Sequence, residues 1–410
     1  MTGLASLTAQ LYAIIASFAT ISQVSCNPAT ISHLRRDSSA CRLPSTPDVY
    51  LSIGHGFPEY LSCVSSTGTM RAFMIFVDFA DQPAGNDTTA GLYDFFFPNA
   101  STWYGTSSFG KLSIDAKADT SQFHRMPRTT SDYAWNRGIT YEQHEAYIQD
   151  ALASYVDATG EDPAPVDVLY VVATRNAPNI TYSPTFMGNV TTRDGAFVAK
   201  KAVTVGYDAY KTWGFKLINH ETGHVMCLAD LYPASGAVGL YVGGFSIMGN
   251  INAVYPEYFA WDKWRLGWLE NAQIECLTYE RASTSFHTIY PVETQGTEIK
   301  LVVLKRNETQ AMVLEVRSSG GVDNKGAEPG VVVYTIDTMV ETLQGPIRVL
   351  HNGTLGVGSE LAVIDWSLTL SVEKKDDDAY TVRIATAAGN TTTSSVHGAS
   401  AQANLPLLSS

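Results

Sequence analysis

His220 and His224 stand four residues apart with Glu221 beside the first, and Asp230 follows ten positions after that first histidine, in the run HETGHVMCLAD. On a helix, side chains four apart share a face, so the two imidazoles can turn their nitrogens toward one small cation. Zinc is the ion such nitrogen and oxygen donors suit, and in catalytic sites it takes three protein ligands and keeps one position open. Glu221, on the same turn, is placed to take a proton from a water there and to pass it on. The chemistry predicted is hydrolysis at a metal.

These groups need elements to position them. Residues 211–219 (KTWGFKLIN) continue the pattern upstream, setting Trp213, Leu217, Glu221 and His224 along one face, as in a helix entering a core. Pro233 ends any helix, so Asp230 can either swing back toward the histidines or serve as an ordinary turn residue. Residues 71–77 (RAFMIFV) and 166–173 (VDVLYVVA) are near-continuous apolar runs suited to buried strands. Between them, residues 141–156 carry Ala, Tyr, Ile and Leu at helical spacing. Strand, helix, strand and metal-binding helix predict a layered α/β catalytic domain over residues 69–272. From residue 273 the pattern changes to short runs rich in Val, Thr and Ile at 299–304, 311–316, 331–336, 368–372 and 380–384. This predicts an antiparallel, β-sandwich-like domain to residue 386.

The ends of the chain point to a compartment. Residues 1–25 contain an apolar stretch at 11–21, of signal-peptide length and too short to span a bilayer comfortably. Residues 26–68 read as an N-terminal arm or short pro-segment, in which Arg35-Arg36 is either a processing site or an exposed basic pair. Residues 387–410, rich in Ser and Thr, are expected to be disordered. Seven N-x-S/T sequons, at Asn86, Asn99, Asn179, Asn189, Asn307, Asn352 and Asn390, fit a glycosylated, secreted chain. A net charge of −13 without a basic cluster excludes attraction to nucleic acid or anionic membrane as a main function. The aspartates at 376–378 lack the spaced oxygen ligands of a calcium loop and read as a solvated turn, so calcium is unsupported.

Several segments together resemble the immune inhibitor A family of secreted, metzincin-like zinc metallopeptidases. They are residues 220–232 (HETGHVMCLADLY), 244–249 (GFSIMG) and 256–268 (PEYFAWDKWRLGW), with 70–83 (MRAFMIFVDFADQP), 108–113 (SFGKLS), 312–317 (MVLEVR) and 330–337 (GVVVYTID) further out. The resemblance implies a peptidase fold with a methionine-containing turn beneath the metal, with Met248 as that methionine, 24 residues after the second histidine. It favours Asp230 as third ligand over Glu257, the glutamate that a thermolysin-like arrangement would use. Cys227 departs from the pattern, since the family has glycine there, free to take positive φ as the chain turns toward the third ligand. Tyr232, Tyr241 and Tyr255 are all open as oxyanion donors.

Cys227 can be a buried thiol, a soft ligand or half of a disulfide. The secretory reading favours pairs Cys227–Cys276 and Cys41–Cys63, leaving Cys26 beside the signal. His55, His124, His144 and His287 have no ligand spacing and read as structural. The expectation is a secreted zinc endopeptidase acting on proteins or peptides, with Zn²⁺ on His220, His224 and Asp230, and Glu221 as base and acid. The alternative is a glycosylated binding or scaffold protein that keeps a zinc-protease fold without turnover.

Overall fold

The structure is a computed structural model that describes residues 37–46, 53–57, 62–280 and 283–387. The expected signal peptide, Cys26, Arg35-Arg36, Asn390 and all but the first residue of the tail lie outside the described residues.

The first half is built on strand β1 (Gly68–Asp78), helices α1 (Thr89–Phe96) and α2 (Asn99–Ser107), and strands β2 (Leu112–Ala118) and β3 (His124–Arg125). Helix α3 (Tyr141–Thr159), strands β4 (Val166–Ala173), β5 (Thr185–Phe186), β6 (Val190–Thr191) and β7 (Phe197–Val205), and helices α4 (Phe215–Val225) and α5 (Ala260–Arg265) follow. The strands form one sheet in the order β2-β1-β4-β7-β5, parallel through β7, with β5 antiparallel at the edge. Successive side chains point to opposite faces, and here both faces are covered. Met74, Phe76, Tyr170, Val172 and Val203 share a core with Leu217 and Ile218 of α4. Ile75, Val77, Leu169 and Val171 pack with Tyr147, Ile148 and Leu152 of α3. Two-sided burial is why β1 and β4 read as unbroken apolar runs. Helix α3 begins at a reciprocal cap, in which Thr140 Oγ1 accepts the Gln143 N–H and the Gln143 side chain accepts the Thr140 N–H.

The second half is built of strands, with one short 3-10 turn at Ile364–Trp366: β8 (Ile274–Thr278), β9 (Thr284–Ile289), β10 (Leu301–Lys305), β11 (Gln310–Arg317), β12 (Gly330–Asp337), β13 (Ile347–Val349), β14 (Glu360–Val363), β15 (Leu368–Asp376) and β16 (Ala379–Thr386). Two sheets result, β13-β12-β11-β10-β8 and β14-β15-β16-β9. They enclose a common core in which Val302, Leu314 and Val333 of the first meet Leu370, Val382 and Ile384 of the second. One pairing departs from the antiparallel expectation: β8 runs parallel to β10. The aspartates at 376–378 form the exposed β15–β16 hairpin. The other face of the five-stranded sheet, with Val303, Val313 and Tyr334, joins the same apolar cluster as α4 and α5, so the two halves share a core.

The disulfides are Cys41–Cys276 and Cys63–Cys227, each with 5.6 Å between Cα atoms. This corrects the pairing expected from sequence. The secretory reading predicts that cysteines pair but not which ones, and the arm does not close on itself. Its residues 38–41 lie against β8 and β10, whereas Cys63 comes down beside the end of α4, where the Val64 N–H donates to the Val225 carbonyl at 3.0 Å. Among the described residues no helix is long and apolar enough to cross a membrane.

Candidate metal centre

Helix α4 starts at Gly214, whose φ of +56° breaks it from a wide turn at Ala209–Trp213, so Trp213 belongs to that turn and not to the helix. His220 and His224 are buried on its inner side. Their Nδ1–H groups donate to main-chain carbonyls, His220 to Ile247 at 2.9 Å and His224 to Leu228 at 2.7 Å. Such bonds fix ring orientation and, in a neutral ring, leave Nε2 as a bare lone pair. Both Nε2 atoms lie 3.2 Å from one oxygen, Asp230 Oδ1.

Asp230 Oδ1 is itself buried, and among the described residues no donor other than the two imidazoles reaches it, so a cation or a proton on a ring must meet it to offset the burial. Two ring nitrogens and a carboxylate oxygen converging in a buried site are donors that could hold a cation among them. Nitrogen and oxygen donors in this number fit zinc. Without a metal, protons take that place. Burial disfavours charge on His224, but the Asp230 carboxylate beside it wins and lifts its pKa to about 9. Burial likewise opposes charge on Asp230, and the two histidines overcome it, holding that carboxyl far below its usual range.

The exit from α4 delivers Asp230. The Leu228 N–H donates to the Gly223 carbonyl at 2.9 Å and the Cys227 N–H to His224 at 2.8 Å, the double closure of a helix ending in a left-handed residue. Cys227 is that residue, with φ +65°. The turn is therefore made as glycine would make it, by a cysteine fixed through Cys63. The Asp230 carbonyl then accepts the Thr342 hydroxyl at 2.8 Å, and Asp230 Oδ2 accepts the Tyr232 hydroxyl at 2.9 Å. The Tyr232 ring also lies parallel to that of His220, 6.3 Å away.

Glu221 is buried, with a carboxylate oxygen within 4.8 Å of the imidazole nitrogens. Burial raises its pKa, and the two histidines pull the other way. The Thr185 hydroxyl, from edge strand β5, lies 2.8 Å from Glu221 Oε2 and 3.0 Å from the Glu221 carbonyl. Met248 is fully buried, and its sulfur sits 2.6 Å from where a Cβ on Gly223 would stand. Its neighbour Ile247 provides the carbonyl that orients His220. A side chain at position 223 would collide with this floor.

Glu257 faces elsewhere. Its carboxylate accepts from the Tyr258 N–H at 2.9 Å, from Ser107 and from Lys263 Nζ at 3.0 Å. It belongs to a buried network continued by Arg317, Glu315 and Asp323. Among the three tyrosines, Tyr255 gives its hydroxyl to the Glu328 carbonyl and Tyr241 lies beneath Arg348, which leaves Tyr232 beside the histidines. His124 pairs with Asp119, His144 with Thr204, and His287 with Glu275. His55 sits buried in the arm, where burial and then the Arg265 charge hold its pKa down to about 3. Sequence reasoning missed Thr185, Thr342 and the carbonyls of Ile247 and Leu228. No spacing signal marks them.

A comparison with protein-family models and with curated proteins finds no match for the chain.

Proposed function

We propose that the chain is a secreted zinc-dependent endopeptidase whose metal is held by His220, His224 and Asp230. The observation that carries this reading is the buried Asp230 Oδ1 at 3.2 Å from two histidine nitrogens whose opposite ring atoms are tied to carbonyls. When bound, zinc supplies a Lewis acid that polarises the scissile carbonyl and acidifies a water in the open position. Glu221 takes the proton of the attacking water and returns it to the leaving amine nitrogen. Its burial raises the carboxyl pKa, against the pull of the two histidines, which strengthens it as a base toward that proton. Tyr232 orients Asp230, and no covalent intermediate is required.

The metzincin-like, immune inhibitor A-like class is supported by the order of parts: a histidine helix, a left-handed exit, the carboxylate, then a methionine packed under Gly223. Secretion is supported by the two disulfides and by the exposure of Asn86, Asn99, Asn179, Asn189, Asn307 and Asn352. The test is metal analysis of the purified protein together with casein digestion, with and without a chelator. One equivalent of zinc and chelator-sensitive cleavage are expected. Zinc without cleavage would instead indicate the non-catalytic scaffold.

A further inference from the structure

We propose that Thr185 is a positioning residue for the Glu221 carboxylate, an inference that rests on the peptidase reading and names a part of the machinery outside the metal motif. Helix α4 by itself leaves a glutamate free to choose among rotamers, because a long side chain loses little freedom on a helix. A general base cannot act from all of them. It must reach the reacting proton within hydrogen-bond distance.

The edge strand supplies the restraint. Strand β5 is fixed on β7 through the pairs Thr185↔Val203 and Phe186↔Ala202, and it lies against α4. This puts the Thr185 hydroxyl 2.8 Å from Glu221 Oε2 and 3.0 Å from the main-chain oxygen of the same residue. The two oxygens share the hydroxyl's one hydrogen in a three-centre bond, which holds the tip of the side chain beside the carbonyl of its own residue. Threonine suits the task, since its β-branch holds χ1 stiffly on a strand. One carboxylate oxygen is pinned in this way, and the other keeps the orientation that the pin dictates. A hydrogen bond to a charged group in a buried site contributes more than one between neutral partners.

The experiment compares wild type, Thr185→Val, which keeps the shape and loses the hydroxyl, and Thr185→Ser, which keeps the hydroxyl and loses the methyl. In casein-derived peptide assays, Thr185→Val should lower kcat by about ten- to a hundredfold with KM nearly unchanged, and Thr185→Ser should restore most of the loss. Zinc content should be the same in all three. A second readout needs no metal: the infrared carboxylate band of Glu221, isolated by subtracting the spectrum of the matching Glu221→Gln protein, should move in metal-free Thr185→Val and return in Thr185→Ser. An unmoved band with wild-type kcat in Thr185→Val overturns the inference, as does a serine variant as impaired as the valine one. Wild type without chelator-sensitive cleavage overturns the peptidase reading itself, and the catalytic role of Thr185 falls with it.

Discussion

Cys63 is bonded to Cys227 at the residue where the chain leaves helix α4 with φ +65°, between the second histidine and Asp230. A non-glycine residue in this conformation costs about 1 to 2 kcal/mol, and the crosslink holds it there. Ile53 of the arm packs on the same spot with Cys227 and Ala229. The N-terminal arm thus supports the turn that presents the carboxylate.

Removing the crosslink should destabilise the protein by about 2 to 4 kcal/mol. With Cys63→Ala in both proteins, Cys227→Gly should retain about 1 kcal/mol more stability than Cys227→Ala and bind zinc more tightly, because glycine takes positive φ freely. Urea unfolding and zinc titration measure the difference. Equal behaviour of the pair would mean that position 227 does not need the left-handed conformation. Non-reducing peptide mapping should recover Cys63 linked to Cys227 and Cys41 linked to Cys276.

On the proposed reading, Glu221→Gln should abolish cleavage while zinc content and fold remain, since the carboxylate then moves protons and does not ligate the metal, although it lies within 4.8 Å of the imidazole nitrogens. His220→Ala and His224→Ala should lose metal and activity together. A Glu221→Gln protein with undiminished turnover would refute the mechanism.

Asp230→Ala should weaken zinc affinity by orders of magnitude, and Glu257→Ala should leave the affinity nearly intact. The second change strands Lys263, fully buried with its ammonium on Glu257, and should cost about 3 to 5 kcal/mol of stability. Metal titration and denaturation of the two variants separate these effects, and the reverse ranking would make Glu257 the ligand.

His144 is buried against Thr204, and burial holds its pKa down to about 3 from 6.5. The folded state resists a proton that the unfolded chain accepts. Its contribution to stability is therefore fully present above pH 6.5 and is lost as the pH falls toward 3, at up to about 1.4 kcal/mol per pH unit. Urea unfolding between pH 7.5 and 4 should show this slope, and His144→Gln should lower it by His144's share, since His55, held down to about 3 as well, keeps its own. An unchanged slope in the variant would exclude His144 as its source.

What the sequence determined by itself is what repeats locally. Helical rotation places His220, Glu221 and His224 on one turn whatever surrounds them, and the apolar runs of β1 and β4 and the spacing of α3 are likewise properties of short segments. Where spacing ran across a break it failed, as at Trp213, because Gly214 takes a φ that ends one turn and begins another. The short strand β5 and its Thr185 left no periodic signal in two residues. Only the tertiary structure decided that Asp230 faces the histidines while Glu257 turns to Lys263, and that Cys63 and not Cys276 meets Cys227. Those outcomes depend on where distant segments lie in space. The carbonyls of Ile247 and Leu228 that aim the two imidazoles belong to the backbone, which is the same in every residue, so nothing in a string of side chains could single them out.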